Sequence, residues 1–207
     1  MKKRPDLYTN YKSESAIFST STQKVWFVLL ILLSLIVPFY FSPYWMLLVT
    51  TSLLIAIASW GLNIVSGMAG QINLAHGVFV GIGTYTSAVI GGVATSSVIG
   101  FELDMIIWLP LSGIIAALVG IIISPVSARL KGLNLGLVTL AIVFIGSHFF
   151  SNLKFITGGA GLGRKAAKLK FLGIDLDSGL SIGSMILEKN DVIYYFSLIL
   201  CIFLGLG

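Results

Sequence analysis

Four side chains able to bind or relay a polar solute stand close together in this chain. Asn63, Gln71, Asn73 and His76 all lie within Gly61-Leu-Asn-Ile-Val-Ser-Gly-Met-Ala-Gly-Gln-Ile-Asn-Leu-Ala-His-Gly77. Amides and an imidazole both donate and accept hydrogen bonds without carrying a fixed charge. Their surroundings decide what that chemistry serves. From Val25 to Phe101 the chain runs 77 residues without an Asp, Glu, Lys or Arg. That is the mark of lipid, where a central charge costs at least ~2.5 kcal/mol. Hydrocarbon gives amides no partner, so these four must face other helices or a wet pathway. Two roles are open to Gln71, Asn73 and His76: hydrogen-bonded glue between helices, or lining of a substrate path.

Other chemistries are poorly supplied. His148 is the only other histidine, it lies in a different apolar run, and no carboxylate shares either run. A metal site therefore lacks ligands, and none is expected. An intramembrane enzyme is the competing class, but it needs a titratable constellation that these spans do not hold. A proton-coupled secondary transporter is weakened by the same absence. Cys201, the sole cysteine, sits in an apolar run, so no disulfide framework is available.

The elements that must position these groups are membrane helices. The chain is 57% apolar and only 10% charged, against about 25% charged in soluble domains. Six apolar segments can be marked against the roughly 20 residues a helix needs to cross the hydrocarbon core: Val25–Phe41, Tyr44–Ser66, Ala69–Thr95, Met105–Val126, Gly132–Asn152 and Val192–Gly207. The fold expected is all-α, a polytopic transmembrane bundle, with the last segment short and truncated. Residues 1–24 form a polar tail, and 25–207 a membrane domain incomplete at its C-terminal end. Gly67 and Gly70 are the natural break between the second and third segments. Whether the chain turns there or continues as two half-helices stays open.

Lys2, Lys3, Arg4, Lys12 and Lys24 favour a cytoplasmic N-terminus. Counting crossings then puts Glu102 and Asp104 outside, Arg129 and Lys131 inside, and the loop 153–191 outside, although that loop holds several lysines. The net charge of +5 does not point to nucleic acid, because the basic residues sit at span ends. Small residues four apart should let helices approach closely: Gly77 and Gly81; Gly83, Ser87 and Gly91; Ala116 and Gly120; Gly132 and Gly136. The run Thr157-Gly-Gly-Ala-Gly-Leu-Gly163 lacks the Gly-Lys-Ser/Thr of a phosphate loop and the flanking strand of a dinucleotide fold. Its Thr157, Gly158, Gly159 and Gly161 are expected to form a surface chain reversal, or to contact substrate or an external partner.

Leu62-Asn-Ile-Val-Ser-Gly-Met-Ala-Gly-Gln-Ile-Asn-Leu-Ala-His-Gly-Val-Phe-Val-Gly-Ile-Gly-Thr-Tyr85 closely resembles a segment of the branched-chain amino-acid ABC transporter permeases of the LivM and LivH type. Arg129-Leu-Lys-Gly-Leu-Asn-Leu-Gly-Leu-Val-Thr-Leu-Ala141 and Ile156-Thr-Gly-Gly-Ala-Gly-Leu162 are similar to two further segments of that family, in the same order. Thr84 and Gly136 stand where the family usually has Ala, and Asn134 where it has Tyr. The resemblance implies a plasma-membrane permease subunit without catalysis or cofactor of its own. Its partners would be a second related permease subunit, two cytoplasmic ATPases that bind the ATP, and an external solute-binding protein. It also implies branched-chain amino acids or related small polar solutes as cargo, with urea or short amides as the alternative. The family's ATPase-coupling loop is expected beyond the sixth span, so the chain is read as the N-terminal half to two-thirds of a permease.

Overall fold

A computed structural model describes residues 21–130, 132–159, 163–176, 179–182 and 185–206. Six long helices meet the six apolar segments: α1 (Ser21–Tyr40), α2 (Pro43–Asn63), α3 (His76–Gly91), α4 (Met105–Arg129), α5 (Leu133–Asn152) and, after a single short turn α6 (Lys154–Thr157), α7 (Lys189–Leu206). The architecture is the expected all-α membrane bundle. Two small antiparallel hairpins interrupt only the loop before α7. They pair β1 (Lys170–Phe171) with β2 (Ile174–Asp175), and β3 (Leu180–Ile182) with β4 (Met185–Leu187). Leu172 and Gly173, both at positive φ, make the two-residue reversal of the first.

Local sequence explains the helix limits. Ser42 is extended and Pro43 opens α2 at its first position, where a missing N–H costs nothing. Within α2 and the turn that follows it, the hydroxyls of Thr51, Ser52, Ser59 and Ser66 each donate to the carbonyl four residues earlier. In lipid this back-bonding hides a polar group that hydrocarbon would leave unpaired. Among the described helices, α1, α2 with the turn that follows it, α4 and α5 are long and apolar enough to cross a membrane.

The third segment departs from expectation. Instead of a helix over Ala69–Thr95, α2 widens into a π turn at Ile64–Met68, the chain leaves helical geometry at Gly70 (φ +63°), and α3 starts only at His76. Gly67 shows why a small residue stands in that turn: a Cβ there would lie 2.3 Å from Asn63 Oδ1. Leu74 N–H donates to Thr139 Oγ1, six residues into α5. At 1.5 Å per residue the irregular stretch thus reaches roughly 9 Å into the bundle. This re-entrant segment is held by Ala75, which is buried, and by the half-buried Gln71 and Asn73, while Met68, Ile72 and Leu74 are exposed.

Two apolar clusters fix which helix ends share a side. Met46 of α2 packs with Tyr194 and Leu198 of α7 and with Val37 of α1. Ile90, Met105 and Trp108 pack with Ala167, Leu169 and Phe196. Through Phe196 the two clusters bring the end of α3, the starts of α2, α4 and α7 and the long loop together. At the opposite side, Trp60 of α2 lies against Gly205 of α7. The small residues divide by role. Gly81, Gly91 and Gly146 sit against Phe150, Trp108 and Val78, closer than a Cβ would allow, whereas Gly77 and Gly83 face open space.

Candidate functional site

The re-entrant segment forms one wall of a cavity of about 660 Å³ between α2, α3, α4 and α5. Its polar lining is Gln71, Asn73, His76, Ser124, Ser127 and Thr139. Among the described residues, no Asp, Glu, Lys or Arg lines it.

His76, Asn73 and Thr139 each make a distinct hydrogen bond that holds the segment in place, while the Ser124 and Ser127 hydroxyls have no hydrogen-bond partner among the described residues. His76 Nε2 lies 2.9 Å from Ala58 O. A carbonyl only accepts, so Nε2 carries the proton and Nδ1 is left as an acceptor. This bond ties the start of α3 to the middle of α2. Gly61 lies beside the ring, where a Cβ would make ordinary contact at 3.5 Å from Cε1. Asn73 Oδ1 accepts from Ala75 N–H at 3.0 Å, the short-range bond by which asparagine opens a helix. Thr139 Oγ1 accepts from Leu74 N–H and donates to Gly136 O at 2.9 Å. Gln71 differs from these: its side-chain amide lines the cavity and meets no hydrogen-bond partner among the described residues. Asn63 is exposed and folds over Gly67, outside the cavity lining. The structure therefore brings Gln71, Asn73 and His76 together and leaves Asn63 apart.

On the opposite side, Thr157 is buried; its hydroxyl donates to Leu153 O at 3.1 Å and accepts Gly159 N–H at 3.1 Å. Gly158 and Gly159 both hold positive φ, and a Cβ on Gly158 would run into Gly163 O. These residues form the tight reversal that the glycines suggest. Gly161 lies outside the described residues.

Arg164, which the sequence did not single out, locks that reversal. Its guanidinium donates to Ile156 O at 2.6 Å, Ala88 O at 2.5 Å and Ile99 O at 2.8 Å. One planar cation thus ties α6, α3 and the connection after α3, a geometry suited to a fork of donors. Burial lowers its pKa from the ordinary value. Beside it, Lys168 and Glu102 approach to 3.4 Å with both side chains about 40% exposed, a pair of little energetic weight. Nothing in the local sequence distinguishes Arg164 from the lysines around it, because all three acceptors are backbone atoms.

A second cavity, of about 710 Å³, lies between α3, α4 and α5 nearer the Arg164 side. It is lined by aliphatic and aromatic residues such as Ile82, Val89, Ile115, Val119 and Phe149.

A helical membrane bundle whose polar re-entrant segment borders an uncharged cavity has the architecture of a transport protein. Residues 44–206 match the family described as the branched-chain amino acid transport system / permease component, and the chain belongs to that family. It is similar to the high-affinity branched-chain amino acid transport system permease protein LivM of Escherichia coli strain K12, 33% identical over 141 residues. The LivM protein of Salmonella typhimurium strain LT2 is 31% identical over the same length. Each alignment covers 68% of this chain and 32% of the relative, so the chain spans about a third of the relatives it matches. No solved structure matches it.

Proposed function

We propose that this chain supplies the membrane pathway of an ATP-driven importer for branched-chain amino acids. The observation that carries the reading is a cavity whose polar lining includes the Gln71 amide and the Ser124 and Ser127 hydroxyls, side chains with no hydrogen-bond partner among the described residues. Asn73, His76 and Thr139 have hydrogen bonds that build the re-entrant segment; Gln71 has no such task. An amide held by its neighbours' architecture, and left unpaired, is available to a passing ammonium or carboxylate. The matched family and the two LivM relatives support the cargo class.

In this reading the chain performs no chemistry on its cargo. A second permease subunit completes the pathway, two cytoplasmic ATPases bind ATP, and an external binding protein delivers the solute. ATP binding shifts the population between inward- and outward-open states. The protein resides in the plasma membrane with its N-terminus cytoplasmic. Reconstitution of the full-length permease with its partner subunits and candidate binding proteins tests this. Leucine, isoleucine or valine loaded on a binding protein should stimulate ATP hydrolysis and enter the vesicle. Stimulation by urea or a short amide alone would replace the cargo, and stimulation by none would reject the importer.

A further inference from the structure

The two cavities share two lining residues, Ile123 of α4 and Ile142 of α5. On one side of them the walls carry Gln71, Asn73, Ser127 and Thr139. On the other the walls are mostly hydrocarbon; the polar groups are Tyr85, Thr86 and Thr157, and the Thr157 hydroxyl is already engaged at both its donor and its acceptor. Water and a zwitterion are thus favoured in the first chamber and excluded from the second, since an apolar cavity stays dry and unpaired charge does not enter it. An aliphatic boundary between such chambers blocks polar solutes by dewetting.

We propose that Ile123 and Ile142 form the hydrophobic gate of the pathway, separating a wet inner chamber from a dry outer one. The inference rests on the transport reading, to which it adds the residues that hold the path shut. In this arrangement the gate opens when α4 moves relative to α5 and the isoleucines part. Both residues are half-buried, so side-chain truncation changes the boundary without removing a core layer.

The test uses thiol accessibility in the full-length permease, assembled with its partners in sealed vesicles, after Cys201→Ser removes the one native thiol of this chain. Ser127→Cys reports the inner chamber and Val119→Cys the outer one; a water-soluble methanethiosulfonate is added on the side that modifies Ser127→Cys. With both isoleucines present, Ser127→Cys should react and Val119→Cys should react at least tenfold more slowly. Ile142→Ser, or Ile123→Ala where the serine variant does not accumulate, should raise the Val119→Cys rate at least tenfold and leave Ser127→Cys unchanged. Equal rates at the two reporters in the parent protein, or an unmoved Val119→Cys rate in both accumulating gate variants, would overturn the gate. Amino-acid uptake by the parent is scored separately. Its absence would overturn the transport reading, while the labelling rates still judge the partition.

Discussion

Arg164 shows how one side chain can carry a local structure by geometry rather than charge. Its three acceptors are carbonyls of Ile156, Ala88 and Ile99 at the edge of the bundle. A hydrogen bond from a charged donor contributes about 1.5–3 kcal/mol. Lysine keeps the charge but cannot span three carbonyls with one ammonium. Arg164→Lys should therefore lower the thermal midpoint of the detergent-solubilised protein nearly as far as Arg164→Gln, by several degrees in each case. A lysine variant as stable as the parent would mean that charge alone holds the loop. The same scale separates His76 from Gln71. His76 is expected from its type to be either glue or pathway, and its bond to Ala58 O gives it a structural task. Gln71 has no comparable bond.

At the scale of elements, a proline and a pair of tyrosines explain how α1 is attached. Pro38 lies inside α1 and has no N–H to offer Ser34 O four residues back. The phenol of Tyr194 donates to that orphaned carbonyl at 2.7 Å, and Tyr195 donates to Leu35 O at 2.9 Å. α7 therefore supplies the donor that proline removed, as lipid cannot. Tyr194→Phe should cost on the order of 1–3 kcal/mol by leaving the carbonyl unpaired. Pro38→Ala restores a backbone donor, so adding it to Tyr194→Phe should cost less than the sum of the two single changes. Additive losses in a double-mutant cycle on membrane-extracted protein would show that the two residues do not act on the same carbonyl.

Across the whole molecule, the long helices were legible and their pairing was not. Absence of charge marked every long helix, because lipid leaves hydropathy little freedom. The basic tail and the alternation of ends predict that the side bearing the loop before α7 faces outward. Single cysteines at Ser21 and Leu172, without Cys201, should differ toward an impermeant thiol reagent: Leu172→Cys reacts in intact cells and Ser21→Cys only after permeabilisation. The reverse pattern would invert the topology. The glycines at 67 and 70 marked the break, yet hydropathy overextended the third helix to Ala69, since Ala69, Ile72, Leu74 and Ala75 of the irregular stretch are as apolar as spanning residues. Thr139 and Arg164 stayed hidden because their partners are backbone atoms far away in sequence. The close approach of Gly146 to Val78 is invisible for the same reason.

In the proposed transport reading, the cavity beneath the re-entrant segment carries the cargo and Gln71 touches it. Gln71→Leu keeps the side chain's approximate size and removes an amide that bonds to nothing else among the described residues. The decisive measurement is leucine uptake per unit of full-length permease in the membrane, with the ATPases and binding protein present. The expected result is unchanged membrane abundance with uptake reduced about tenfold, the equivalent of one lost hydrogen bond of roughly 1.4 kcal/mol. Uptake equal to the parent at equal abundance would contradict the claim and move the pathway elsewhere in the bundle.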